Sequence, residues 1–382
     1  MRAKEIIRLI PEDTLNLLAA ETKVDHQVKK LDGVTMFQLI LFSLLHSDKV
    51  SLRMMEGLFE SMQFKFINQK HEEGTKYNSI RDRIATINPK FFERIFEDVF
   101  DTFCKLLKEK DAIVRYDSTM VAISSALVDW GMRVGSKTDK VQLKYTIGMK
   151  GSLPCHVKIF DTAEALSEDK TIPEAIFEDT NNKGCIVVFD RGVQKRKTFV
   201  KLVENGSLFV TRLKAGAKYK IVKSLPLITD KRTTSLIITE DSLVQLNDTK
   251  GPVSHIFRLI KATIKATGEV ILFLTNIEEM TAYEIASIYK QRWDIEKLFK
   301  FLKQHLNLSH ITVRNENGIK VMIYMILILS ILLIAYNHFN KITGYKIPLL
   351  KFTLDLEKDI TKEVVILCGG DPNRMPHLFS DS

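Results

Sequence analysis

Residues 321–339, VMIYMILILSILLIAYNHF, contain no Asp, Glu, Lys or Arg. A helix of about nineteen residues rises about 1.5 Å each, close to the thickness of a bilayer core. The same run could instead be a helix covered on every side by protein in a large domain. Tyr324, Ser330, Tyr336, Asn337 and His338 dilute its hydrophobicity, and no other segment resembles it. A lone span also lacks any flanking pattern that would set its topology. The expectation is a buried helix and no membrane partner.

The chain is long enough to surround such a helix. Its 382 residues allow a sizeable core and two or three domains, and its 45% apolar content is that of a globular protein. The net charge of +9 favours a polyanionic partner without choosing between nucleic acid and an acidic surface. Cys104, Cys155, Cys185 and Cys368 show no metal-finger spacing, and there is no CxxC, HExxH or Gly-rich phosphate loop. They read as reduced thiols of a cytosolic protein. The N-terminal stretch MRAKEIIRLIPEDTLNLLAAE has scattered charges and no apolar core, so it is not read as a secretory signal.

Residues 1–110 read as helical, with Thr35 as a cap and Pro89 in a first turn. Lys23, Lys29, Lys30, Arg53, Arg81 and Arg83 give this region basic edges. That suits a domain binding DNA ends, and equally a plain bundle. The texture changes at Asp111. AIVRYDST is a β-branched run ending in an acid. VQLKYTIGMKG and LPCHVKIFD read as a hairpin turning near Gly151, and TIPEAIFEDT as a short helix. GCIVVFD has the continuous apolar character of a strand buried on both faces, and it ends in Asp190. A helix and a further strand follow, and residues 215–276 are strand-rich. The alternation implies an α/β (α+β mixed) fold, a mixed sheet flanked by helices. The expected division is a helical domain over 1–110 and the first part of a core over 111–214. A β-rich insertion over 215–276, the rest of the core over 277–345 and a C-terminal tail over 346–382 complete it.

One segment carries chemistry. YKQRWDIEKLFKFLKQ, Tyr289 to Gln304, reads as a single helix. At about 100° per residue, Tyr289, Arg292, Glu296 and Lys303 fall within roughly 60° of arc. They lie beside an apolar stripe of Ile295, Phe299 and Leu302. Alone, this is also the pattern of an ion-paired surface helix. The acids elsewhere change its meaning. Asp117 is read as ending the first strand and Asp190 the buried one. Acids at the ends of adjacent strands converge on one sheet edge, and a helix across that edge can add Glu296. Three carboxylates together repel and call for cations, and oxygen donors select Mg²⁺. Two such ions about 4 Å apart can clamp the attacking and leaving oxygens of a phosphodiester.

Tyr289, Arg292, Glu296 and Lys303 match Y-x2-R-x3-E-x6-K, with Trp293 beside the Arg. With DST at Asp117 and VVFDRG at Asp190, the chain resembles DDE transposases of the insertion-sequence-four family over roughly residues 20–340. The resemblance implies a ribonuclease H-like core, interrupted by a β-rich insertion between the second Asp and the Glu. It implies Asp117, Asp190 and Glu296 as catalytic metal ligands, and Tyr289, Arg292 and Lys303 as contacts to DNA phosphates. It further implies two Mg²⁺ ions, with Mn²⁺ as a substitute. The partners would be double-stranded DNA at terminal inverted repeats and target sites, and a second copy in a synaptic dimer. The activity would be end cleavage, through a hairpin, and strand transfer. Such a protein would be cytoplasmic and nucleoid-associated when bound to DNA. Some relatives stack a flipped base on a Trp of the insertion. Trp130 and Trp293 lie outside it, Trp293 is expected to give packing or local support, and Phe257 and Phe273 fit buried strands. The alternative is a catalytically inert or domesticated DNA-binding protein descended from a transposase.

Overall fold

The structure, a computed structural model, describes residues 1–379 except 48, 70–72, 110–111, 124–129, 134–140, 228–234, 249–250, 307, 309–312, 314 and 345–346. Asp111, where the sequence changes texture, lies outside the described residues; the first strand begins at Ile113.

Among the described residues seven helices come first: α1 (Ala3–Ile7), α2 (Glu12–Thr22), α3 (Gly33–His46), α4 (Leu52–Phe59), α5 (Met62–Asn68), α6 (Tyr77–Thr86) and α7 (Pro89–Leu106). The cap of α3 is Asp32, whose side chain accepts from the Thr35 N–H; Thr35 lies inside the helix. An aspartate can satisfy an orphan N–H three residues on, which is why the start comes earlier than Thr35 suggested. Pro89 opens α7.

The strands are β1 (Ile113–Ile123), β2 (Met132–Arg133), β3 (Val141–Lys150), β4 (Leu153–Phe160), β5 (Ile186–Phe189), β6 (Leu208–Leu213), β7 (Tyr219–Ser224), β8 (Leu236–Asp248), β9 (Gly251–Ile264) and β10 (Val270–Thr275). Helices α8 (Glu168–Glu178) and α9 (Arg196–Glu204) flank β5 in sequence. The described strands form one sheet, in the order β2-β3-β1-β5-β6-β10-β9-β8-β7, with β4 also on β3. β1, β5 and β6 run parallel, while β3 is antiparallel to both β1 and β4. This is the mixed sheet, flanked by helices, that the alternation of strands and helices implied. The β3–β4 hairpin turns at Gly151, whose φ of +57° suits a residue without a Cβ. The strand-rich segment after residue 215 continues the same sheet: β10 pairs with β6, and β9, β8 and β7 extend it antiparallel.

Two faces of this sheet are covered, and the period of two sorts the residues. Val187 and Phe189 face one side, where Phe189, Phe199 of α9, Phe209 and Phe257 cluster with ring centroids 5.8–6.5 Å apart. Ile186 and Val188 face the other, packing with Ile113, Val210 and Phe273 under α10 (Ala282–Lys290). Phe257 and Phe273 are both buried, as their strand context implied.

The charge-free run lies in α12 (Glu316–Asn340), which follows α11 (Trp293–His305). Most of α12 is buried inside the protein. It packs on α7, α6 and α3 and also reaches β4, so the N-terminal helices and the sheet share one continuous core. The segment read as a tail contains a long helix, α13 (Pro348–Leu367). Phe352, Leu356 and Ile360 bury one side of it against α1, α3, α5 and α12. Its amphipathic pattern is weak because its opposite face is also apolar: Leu350 and Leu354 are exposed. Leu329 is fully buried in α12. Leu329→Ala is expected to cost about 2–5 kcal/mol, seen as a lower urea midpoint at unchanged slope.

Candidate active site

Asp117 does not end its strand. β1 continues to Ile123 because Ser118 through Ile123 stay paired with β3. What ends at this level is the neighbour: β1 and β5 match through Tyr116 and Phe189, so Asp117 stands beside Asp190 just where β5 stops. Alternation puts Ile113, Arg115 and Asp117 on the face that carries α10 and α11. The geometry that gathers the two acids is thus a strand outrunning its parallel neighbour.

The helix expected from Tyr289 to Gln304 is two helices. α10 ends at Lys290 and α11 starts at Trp293. Between them the bonds tighten to i→i+3: Arg292 N–H donates to Tyr289 C=O and Ile295 N–H to Arg292 C=O. In such a turn residues three apart eclipse, so Arg292 stacks 5.9 Å over the Tyr289 ring. A buried side chain stands beside the break: Arg115, 3% exposed, donates to Gln291 Oε1 at 2.5 Å. The single arc drawn from 100° steps therefore does not hold across residues 291–292.

Tyr289 and Arg292 are both buried, and each contacts an acid. The Tyr289 hydroxyl donates to Asp190 Oδ1 at 3.1 Å. Arg292 lies between the other two, with Nη1 3.7 Å from Asp117 Oδ2 and Nη2 2.7 Å from Glu296 Oε1. Glu296 remains 40% exposed, at the rim. Lys303 is half-buried in the last turn of α11, with Asp117 the acid that favours its charge. All six residues singled out in the sequence thus lie on one side of the sheet. The three acids do not meet as a ready cation cage: among the described residues no three acids, His or Cys are grouped to hold an ion. Arg292 occupies the space between two of them.

Electrostatics mark Asp117 as the strained member. Burial pushes its carboxyl up to about 6, and Glu168 and Asp190 add to the rise, while the Ser118 N–H and Arg292 oppose it. Burial raises the Tyr289 hydroxyl, reinforced by Asp190, and lowers Lys303. Burial also works against the Arg292 charge, but Glu296, Tyr289 and Asp190 outweigh it and raise its pKa.

Three participants escaped the sequence. Glu168, in the first turn of α8, adds negative potential at Asp117 and is tied to Lys144, itself 3% exposed, at 2.8 Å. Its stem crosses Gly192, where a Cβ would come within 2.6 Å of Glu168 Cγ. Arg115 is the third. A Lys or Arg inside an apolar strand was the available signal, since buried cations need partners. Of the two roles expected for Trp293, the geometry fits local support and not core packing: it is 60% exposed, with the Arg292 guanidinium 5.8 Å from its ring. At the first turn of α11 it points outward from the helix break rather than into the core.

The transposase DDE domain family matches residues 108–332. The chain is 30% identical over 200 residues to a protein of Sinorhizobium fredii described as a transposase, covering 51% of this chain and 53% of that one. It is 28% identical over 242 residues to a protein of Geobacillus stearothermophilus described as the transposase of insertion sequence element IS5377, covering 62% and 60%. A third, from Synechocystis, described as a transposase for an insertion sequence element, is 26% identical over 246 residues, covering 62% and 65%. The chain thus spans between about half and two thirds of the length of the curated relatives it matches. Among solved structures, a piggyBac transposase synaptic complex with hairpin DNA aligns with 99% of this chain and 84% of its own, at 12% identity and a TM-score of 0.48. The family match covers more than half of the sequence and includes Asp117, Asp190 and Glu296: the chain belongs to the transposase DDE-domain family.

Proposed function

We propose that this chain is the transposase of a bacterial insertion sequence of the insertion-sequence-four type, cleaving DNA at the element's ends and joining them to target DNA. The observation that carries the reading is the placement of Asp117 on β1 beside Asp190, just past the end of the parallel strand β5, with Arg292 and Glu296 brought over them at the start of α11. DDE-domain transposases are metal-dependent enzymes as a class.

The residues fit a hard divalent ion. The donors are all carboxylate oxygens, the type that selects such ions; burial, more than the neighbouring Glu168 and Asp190, disfavours the charge of Asp117, and a bound cation would offset that. Asp117, Asp190 and Glu296 would hold it, with Mg²⁺ the ion of choice and Mn²⁺ a substitute. When bound, such ions supply charge neutralisation at phosphorus and an activated nucleophile at neutral pH. The protein's own groups do the rest. Tyr289 orients Asp190 through its hydroxyl. Arg292 offers a fork of donors to phosphate, and Lys303 a point charge. An arriving phosphate would compete with Asp117 and Glu296 for Arg292, which frees those acids as the DNA seats. Double-stranded DNA at terminal inverted repeats and target sites is the partner, and two copies would hold the two ends.

The test is nicking of DNA that carries the element's ends, with Mg²⁺ or with EDTA. Glu296→Gln is expected to abolish Mg²⁺-dependent nicking and leave end binding within a few-fold in a gel-shift assay. End binding by the unaltered protein with no nicking in Mg²⁺ or Mn²⁺ would instead identify an inert DNA-binding descendant.

A further inference from the structure

Arg258 on β9 is 6% exposed and Asp241 on β8 is 5% exposed. Their contact is bidentate, with Nε to Oδ1 at 2.9 Å and Nη2 to Oδ2 at 2.7 Å. The remaining nitrogen, Nη1, reaches three main-chain carbonyls: Ile277 at 3.3 Å, Glu278 at 3.1 Å and Met280 at 2.5 Å. These belong to the link between β10 and α10. Thr281 then caps α10 in a reciprocal box with Glu284. At its far end α10 carries Tyr289, bonded to Asp190, and leads into the tight turn at Arg292. That end is held by Arg115 through Gln291. A short helix bearing active-site residues is therefore fixed at both ends by buried guanidinium groups from the sheet.

We propose that Arg258, oriented by Asp241, is a positioning residue for the active site. It sets where α10 lies along the sheet, and so where Tyr289 and Arg292 meet Asp190 and Asp117. Stability alone is a poor reason for this pair. A buried ion pair is commonly no better than apolar residues of similar volume, whereas the planar fork gives directed bonds on two sides. Asp241 takes one side of the fork, which aims the other at the three carbonyls. The strand-rich segment thereby acts on the reaction through the backbone, without touching the acids. A displacement of about 1 Å at a reacting group costs on the order of 10²-fold in rate.

The activity part of this inference rests on the proposed DNA-cleaving reading; the structural part stands without it. The test variant is Asp241→Leu/Arg258→Met, which replaces the pair by apolar volume and removes the donor to the link. Hydrogen exchange is expected to speed up by about 10-fold or more at the amides of Ile285–Tyr289, with α12 unchanged. The nicking kcat is expected to fall by about 10²-fold, with KM for end DNA within about 2-fold. Unchanged exchange in α10 overturns the proposal, as does an equal rise throughout the chain. If the double variant does not fold, Arg258→Lys takes its place: one ammonium cannot serve both sides, and the same α10-specific change is expected. If the unaltered protein fails to nick, the functional reading falls and exchange still decides this one.

Discussion

Asp117→Asn is expected to lower end cleavage by roughly 10³-fold or more while raising the stability of the metal-free fold. The two effects have one cause. Asp117 carries a charge in a buried place: burial pushes its carboxyl up to about 6 in the folded chain, from an ordinary value of about 3.8. Between those values the folded state holds a proton that the unfolded state has released. Stability is therefore lost as pH rises through 6 and is fully regained below 3.8. Holding that proton is worth at most about 3 kcal/mol. Asn keeps the acceptor for the Ser118 N–H, at 2.8 Å, and gives up the 3.7 Å approach of Arg292. A net gain of about 1–3 kcal/mol at pH 8, measured by urea unfolding in EDTA, is expected. At pH 4 the difference should vanish. An equal effect at both pH values would mean that the buried charge is not its source.

Arg292→Gln should move stability the other way. Arg292 is 7% exposed and touches Glu296 at 2.7 Å, with Asp117 at 3.7 Å. Removing one partner of a buried pair leaves the other charge uncompensated, which costs about 3–5 kcal/mol when both are buried. Glu296 is 40% exposed, so about 2–3 kcal/mol is expected at pH 8. End cleavage should fall by about 10²-fold or more, the scale for a lost donor to developing charge. A divalent ion and the guanidinium neutralise the same carboxylates. Mn²⁺ should therefore raise Tm more in Arg292→Gln than in the unaltered protein. Equal Mn²⁺ shifts in both proteins would show that Arg292 does not compete for this site.

How much of this could be read from the residues follows from the range of each interaction. Asp117 and Asp190 were legible because short-range rules place them. An acid after a β-branched run marks a strand, and GCIVVFD has the continuous apolar character of a buried one. Their neighbouring placement needed the β1–β5 register, a non-local fact. The break at residues 291–292 was hidden, because every residue from Tyr289 to Gln304 suits a helix. Long-range partners of Gln291 and Arg292 decide it. Tyr289 and Arg292 were expected to face DNA, and the fold turns them toward acids first. The run at residues 321–339 gave its burial away by composition, but not its neighbours. A single helix packs on α7 and also reaches β4, so the helices before residue 110 and the sheet after it share neighbours that composition does not show.

The most direct measurement is the Mg²⁺-dependent cleavage rate of end DNA in Asp117→Asn, Glu296→Gln and the double variant. Residues that act as one centre are strongly non-additive. The account predicts that each single substitution reduces cleavage to near background and that the double is no slower, while end binding persists in all three. Cleavage at the unaltered rate by either single variant would contradict it. So would losses that multiply in the double variant, because the two carboxylates would then be serving separate sites.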